Sequence, residues 1–481
     1  MKTVYFAYFR AFLTTWLLFT VLLSACAAAS PTPHAATSTV QPLPAPSPMT
    51  TATIALPTSL PALQAKPELL KNISLQFWHP YSGDLAKRLQ VQVDDFNQHN
   101  TWGIQVLITA PGSRTHLDES VRLTFNGNTR PDVVIAPPEA LTGWQVLKAN
   151  SLVDLSGYIS DGTWGYTQAE ISDFYPVFWQ AENKSGQQFG IPALRRAHFL
   201  IYNSTWAGKL GFSQPPQTPQ DFQTQTCKAA KANATAMIAE KYGTGGWIED
   251  SAPLTTLSWL YAFDAPTLMD ESSPVYSFDT PASEQALTFL QNLVGPTCIW
   301  VAREPTPYGY FARQQALVYS AASEDLLEQS MTQNRLKSMD EWTVLPYPTV
   351  QGKTAQVVVS GEDYALLTSS PERQLAGWLL IQWLSAAEHQ AELVRLTATL
   401  PVQRSSMAAL SDFTVILPQW KTTVTWMDKL QPAPRLAAWH ELRMLLQDST
   451  WQIFNQSPKP IPIADILKQI DQTYLDLQKK P

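Results

Sequence analysis

Residues 73 to 108 read ISLQFWHPYSGDLAKRLQVQVDDFNQHNTWGIQVLI, and the change of period inside this stretch decides the fold. Ile73, Leu75 and Phe77 alternate with polar neighbours, as on a strand with one buried face. HPYSG then breaks the pattern. From Asp84 onward Leu85, Leu89, Val93 and Phe96 recur at helical spacing, which predicts an amphipathic helix. Residues 103–108, GIQVLI, return to a strand. Further along, residues 121–136 (VRLTFNGNTRPDVVIA) read as helix, turn and short buried strand, and residues 197–203 (AHFLIYN) as another strand. Thr218-Pro219, Thr280-Pro281 and Ser370-Pro371 each place a capping hydroxyl before a proline at the first helical position. Ser385 and Glu388 stand at capping-box spacing. QALVYSAAS and VVVSGEDYALLTSS read as strands running into loops. The alternation predicts an α/β fold with a largely parallel sheet.

The chain has 481 residues, 45% hydrophobic and 15% charged, a globular composition of low charge density. The length predicts two domains or one large two-lobed unit. The formal charge is −7, and loss of Lys2 and Arg10 would bring it to −9. No basic stripe of the kind that binds nucleic acid is present. Seventeen tryptophans supply a core and leave room for aromatic ligand surfaces.

The first 25 residues carry a basic start (Lys2, Arg10) and a short apolar run, which together read as an export signal. The run ends Leu23-Ser24-Ala25-Cys26, which resembles the bacterial lipobox. That resemblance implies cleavage before Cys26 and a lipid on its sulfur; a plain signal or an uncleaved anchor are the alternatives. More than one acyl chain would anchor the protein stably. Residues 26–70, rich in Pro, Ser, Thr and Ala, have no helical or strand period and read as an extended tether. On an exported chain Cys227 and Cys298 can pair. A structural bridge between them is expected, with two buried free thiols as the alternative.

Catalytic signatures are missing. The chain has no HExxH, GxSxG, Walker A or GxGxxG motif. The seven histidines show no metal-ligand spacing, and no cofactor is expected. Of the paired acids, Asp94-Asp95 reads as a solvated helix face. Glu362-Asp363 would point to opposite faces of a strand, a poor acid/base couple. Glu249-Asp250 is the third pair. The loop after the first strand, with Trp78, His79, Tyr81, Ser82 and Asp84, offers ring faces and hydrogen-bonding groups where open α/β sheets hold ligands.

Ten segments, in order, resemble extracellular solute-binding proteins of the maltose-binding-like carbohydrate class that serve ABC importers. They are FWHPYSG, RPDVVIAPPEAL, LVDLSGYI, DFYPVF, FGIPALRRAHFLIYN, PQTPQDFQTQTCKAA, YFARQQALVYSAASE, WTVLPYP, VSGEDYALLTSSPERQLAGWLLIQWL and LPVQRSSM, within residues 72–407. The resemblance implies two α/β lobes, each with a mostly parallel sheet, joined by strands crossing near Pro192–Arg196, Ser360–Glu362 and Thr399–Gln403. The first lobe would comprise 71–193 and 363–399, the second 196–360 and 402–481. It also implies a sugar or oligosaccharide held reversibly between them, ABC permease subunits as partners, a monomer, and a lipid-anchored place outside the cell membrane. Positions carried over as ligand contacts are Tyr81, Ser82, Asp84, Pro138, Glu139, Arg196, Trp247, Ser251, Trp259, Ser323, Gly361, Glu362 and Asp363. Gly361 is expected to let backbone approach ligand, and Glu362 to bring a carboxylate to the pocket mouth. Whether Arg404 reaches the cleft is open. The rival readings are a secreted carbohydrate-active enzyme, which would need two facing carboxylates, a sensory ectodomain, and a receptor for a glycerophosphate-type ligand.

Overall fold

The computed structural model describes residues 66–127, 130–266, 277–455 and 459–479. The expected export signal, Cys26 and most of the expected tether lie outside the described residues. The packed body begins slightly before the expected boundary: Pro67–Leu70 form a short 3₁₀ turn, and Leu70 is fully buried.

Twelve strands are described: β1 (Ser74–Trp78), β2 (Gln105–Thr109), β3 (Val133–Ala136), β4 (Asn183–Lys184), β5 (Gln187–Gln188), β6 (Ile191–Asn203), β7 (Gly245–Ile248), β8 (Ile299–Trp300), β9 (Ala316–Ala322), β10 (Trp342–Leu345), β11 (Val357–Leu366) and β12 (Leu430–Pro432). β4 and β5 pair only with each other. The rest form a mixed sheet of order β2-β1-β3-β11-β6-β9-β7-β8, with β10 on β6 and β12 on β11. β1 pairs in parallel with β2 and β3, and β7 with β8 and β9. These are the two parallel halves. The long antiparallel pair β6 and β11 joins them. β6 pairs with β11 through Ile191–Ala197 and with β9 through His198–Tyr202, so one strand serves both halves. The chain returns along this pair at Leu400, whose N–H donates to the Arg195 carbonyl at 2.7 Å.

Local chemistry sets the elements as their sequences predict. Leu75 and Phe77 of β1 are fully buried, and the helix Gly83–His99 buries Leu89, Val93 and Phe96 on one stripe. Thr218 and Asp221 form a capping box at the start of Pro219–Ala234, and Thr280 and Ser370 cap Pro281–Val294 and Pro371–Leu384. Ser385 differs from expectation. It ends the helix before it, donating to the Ile381 carbonyl at 2.7 Å, and the next helix, Ala387–Thr397, starts without a side-chain cap. Cys227 and Cys298 form a disulfide that ties the helix Pro219–Ala234 to the residue before β8.

Gly361 is required by the strand pair itself. A Cβ there would lie 1.9 Å from the Leu194 carbonyl oxygen of β6. The expected reason, close approach to a ligand, is therefore replaced by close approach of the two crossing strands. Trp247 and Trp259 are also core rather than ligand surface. Both are 0% exposed. They pack edge to face at 6.0 Å, and Phe222 packs against each. The helix Pro253–Ala262 buries eight consecutive residues from Thr255 to Ala262, which leaves Trp259 no open side.

Candidate functional site

A cavity of about 470 Å³ lies where β6 and β11 join the two halves. Its walls come from the carboxyl ends of parallel strands. Arg114 opens the helix after β2, Pro137–Glu139 follow β3, Asp250 and residues 252–255 follow β7, and Glu324 and Asp325 follow β9. β6 and β11 supply the floor with Arg195, Arg196, His198 and Val359–Glu362. The helix Pro176–Glu182 contributes Val177 and Phe178, and the chain after β12 contributes Arg435, Trp439 and Arg443. Ligands in open α/β sheets collect at such strand ends.

The floor is a chain of ion pairs. Glu362 is fully buried and holds two guanidiniums: Arg114 Nε donates to its Oε1 at 2.5 Å, and Arg196 Nη1 donates to its Oε2. Arg196 Nε also donates to Glu324. Burial pushes the Glu362 carboxyl up, but Arg196 and Arg114 override it and hold it at about 2. A second network lies against the first. Arg195 Nη2 donates to Glu182 Oε1 at 2.7 Å and to Asp363 Oδ1 at 2.5 Å, and its Nη1 donates to the Glu362 carbonyl at 2.7 Å. Arg435 grips Glu182 from the other side, Nη1 to Oε2 at 2.8 Å and Nη2 to Oε1 at 2.5 Å. His198 Nε2 meets Ser360 Oγ at 2.8 Å. Burial, with the charges of Arg196 and Arg114, lowers its pKa to about 3, so the ring is neutral.

Glu139 is partly buried. Burial raises its pKa to about 7, with Glu362 adding to the rise and its own backbone and Arg443 opposing it. Asp250 accepts from the Ala252 N–H at 2.8 Å and from the Thr255 hydroxyl at 2.5 Å. Asp325 accepts from the Ala322 N–H at 2.7 Å and from the Tyr308 hydroxyl at 2.6 Å. Burial raises both carboxyls above the ordinary value.

Asp363 and Glu182 share the buried cations unequally. Burial and the Glu182 charge push the Asp363 carboxyl up to about 8 against the pull of Arg195, while Arg435 and Arg195 overcome burial to hold Glu182 below the ordinary value. Asp363 therefore holds its proton to higher pH in the folded state than in the unfolded chain. A raised folded pKa contributes stability that is full below about pH 4 and lost as pH rises through about 8. Asp363→Asn should remove that component. Urea midpoints measured across this window should show the unsubstituted protein losing ground to Asp363→Asn as pH rises, by up to about 1.4 kcal/mol per pH unit. A difference that stays flat would refute the raised pKa of Asp363.

Of the thirteen expected contacts, the cavity wall contains Pro138, Glu139, Arg196, Gly361 and Glu362. The β1 loop contributes nothing to it. Asp84 is 79% exposed on the helix surface, bonded to Lys87. Ser82 precedes the same helix and is exposed. Tyr81 is buried with its hydroxyl unpartnered, near enough to Glu362, Arg196 and Arg114 to feel their charges, yet off the wall. His79 is fully buried, and burial lowers its pKa to about 4. Ser323 is fully buried; its hydroxyl accepts the Ala197 N–H at 2.9 Å, where β6 passes β9. Ser251 lies beside the wall residue Asp250, as Ser323 lies beside Glu324. Asp363 faces Arg195 behind the floor. Arg404 donates to the Ser172 and Phe174 carbonyls and covers the Tyr175 ring, away from the cavity. The sequence reading missed Arg114, Phe178, Arg195, Asp250, Asp325, Arg435, Trp439 and Arg443. Asp250 had a signal in its pairing with Glu249, Arg195 in the expected crossing near Pro192–Arg196, and Phe178 in the segment DFYPVF.

Among the described residues no group of His, Cys, Asp and Glu is placed to hold a metal, and no helix is long and apolar enough to cross a membrane. The family model of bacterial extracellular solute-binding proteins matches residues 92–423, well over half of the chain. The chain belongs to this family, whose members bind solutes rather than transform them. More particularly, it is 25% identical over 154 residues to a probable ABC transporter-binding protein of Deinococcus radiodurans. That match covers 32% of this chain and spans about a third (34%) of the relative. Two solved structures share the fold. One is the cyclic alpha-maltosyl-1,6-maltose binding protein from Arthrobacter globiformis, at TM-score 0.70 and 16% identity over 85% of this chain and 99% of that one. The other is UgpB from Mycobacterium tuberculosis, solved with glycerophosphocholine, at TM-score 0.67 and 15% identity over 85% and 99%.

Proposed function

We propose that this protein is the substrate-binding component of an ABC importer, taking a sugar or short oligosaccharide into the cavity and handing it unchanged to a permease. The cavity carries this reading. Its size falls within the roughly 300–1,000 Å³ of small-ligand sites, and its walls alternate apolar surface with placed polar groups. Lobes of 71–193 with 363–399 and of 196–360 with 402–481 close about β6 and β11 on the ligand. Pro138, Glu139, Arg196, Gly361 and Glu362 are the retained contacts. Cys26, lipidated, anchors the monomer to the outer face of the membrane through residues 26–70. The names of the Deinococcus relative and of the Arthrobacter structure support importer and sugar respectively. A sensory ectodomain would use the same cavity.

A glycerophosphate-type ligand is the second reading. It is favoured by five arginines on the wall and by the UgpB complex. The pairing of four of those arginines with carboxylates weighs against it. A thermal-shift panel of sugars, polyols and glycerophosphodiesters decides between them. At least one saccharide should raise the melting temperature, and at 100 times its Kd should add about 2.7 kcal/mol. A panel in which only the phosphodiesters act would replace the sugar reading.

A further inference from the structure

Formally the wall carries five arginines and five carboxylates: Arg114, Arg195, Arg196, Arg435 and Arg443 against Glu139, Asp250, Glu324, Asp325 and Glu362. Pairing tells more than the count. Glu362 takes Arg114 and Arg196, Glu324 takes Arg196 again, and Glu182 and Asp363 take Arg195 and Arg435. Arg443 lies near enough to Glu139 to pull its pKa down. Asp250 and Asp325 remain. Neither has a lysine or arginine within ion-pair distance among the described residues. They stand at the ends of neighbouring parallel strands, β7 and β9, close enough for the Asp250 charge to act on Asp325.

Their local geometry is the same. Each carboxylate accepts one backbone N–H and one hydroxyl, one on each oxygen, and the Ser320 hydroxyl also bonds Asp250. These neutral donors fix its orientation and leave at least one acceptor site open on each carboxylate. A partly buried carboxylate without a cation carries an unpaid desolvation cost. A ligand that brings the cation offsets it.

Building on the proposed receptor role, we infer that the ligand of this cavity bears a protonated amine, and that Asp250 and Asp325 together receive it. The class is an amino sugar or an amine-bearing oligosaccharide. The free acceptor sites call for N–H donors, which a quaternary ammonium lacks. Such a cation is held by open aromatic faces, and the two ring side chains on this wall, Phe178 and Trp439, are 1% and 3% exposed.

The test uses matched probes in mildly acidic buffer: the β-1,4-linked glucosamine disaccharide, its di-N-acetylated form, cellobiose and glycerophosphocholine. Binding is read by calorimetry on the full exported chain. The amine disaccharide should bind at least about tenfold more tightly than either neutral analogue. Asp250→Asn and Asp325→Asn should each remove that preference. Asparagine keeps an oxygen for the backbone N–H, and the hydroxyl can turn to accept from the new amide N–H, so the melting temperature without ligand should stay close to that of the parent. Neutral disaccharides binding as well as the amine would overturn the inference and leave the sugar-receptor reading intact. A preference for glycerophosphocholine would overturn the inference and the sugar reading together. Silence from all four probes would overturn the inference and leave the sugar reading to the thermal-shift panel. Variants that keep the amine preference would overturn the assignment to these two aspartates.

Discussion

Arg195→Met should cost the ligand-free protein about 3–5 kcal/mol, the range for breaking a buried ion pair from one side. The guanidinium is 4% exposed and makes four hydrogen bonds: to the carbonyls of Leu194 and Glu362 and to the carboxylates of Glu182 and Asp363. It also lies over the Phe178 ring. Methionine retains much of the stem and none of the donors. Glu182 keeps Arg435, so its charge stays matched. Asp363 loses the donor on its Oδ1 and is left beside the Glu182 carboxylate. Its readiness to hold a proton limits the damage in acid and exposes it in alkali, so the penalty should grow as pH rises past about 8. The partner substitution separates charge from packing. Arg195→Met with Asp363→Asn should recover a substantial part of the loss, a coupling visible in a double-mutant cycle of denaturant midpoints. Strictly additive losses would mean that Arg195 acts without Asp363, through Glu182 and its backbone contacts.

What the sequence made legible follows from the range of the forces involved. Strand alternation at Leu75 and Phe77, the Leu89–Val93–Phe96 stripe and the caps at Thr218, Thr280 and Ser370 are local, and the structure places each as read. Ser385 failed for an equally local reason: two helices compete for it, and the preceding one offers a carbonyl. The wall of the cavity has no local signature. Arg114 and Glu362 are 248 positions apart, and Arg435 and Glu182 are 253. Only the crossing of β6 and β11 brings them together. Trp247 and Trp259 were drawn toward the ligand by their ring chemistry, but burial on all sides decides their role. Choosing Ser251 and Ser323 came within one residue of Asp250 and Glu324. The strand ends were read correctly, and the side chain that turns inward was not.

Glu362→Gln should change what the cavity accepts as well as how stable it is. Among the described residues this carboxylate alone pairs with both Arg114 and Arg196, and it is fully buried while Arg114 is half exposed. A neutral amide offers one acceptor where two guanidiniums need partners, and turns N–H donors toward the other. Arg196 can fall back on Glu324; Arg114 cannot, because among the described residues its one ion-pair partner is Glu362. The loss should be about 3 kcal/mol, at the lower end for a broken buried pair because Arg114 can reach solvent. The formally balanced wall then carries one excess positive charge beside a freed guanidinium fork, the group best suited to a bidentate oxyanion. Inorganic phosphate at low ionic strength should therefore raise the melting temperature of Glu362→Gln and leave the parent unmoved, with added salt erasing the difference. If Glu362→Gln melts with the parent and ignores phosphate, Glu362 is not the group that neutralises the floor, and the ion-pair chain does not set the cavity's charge.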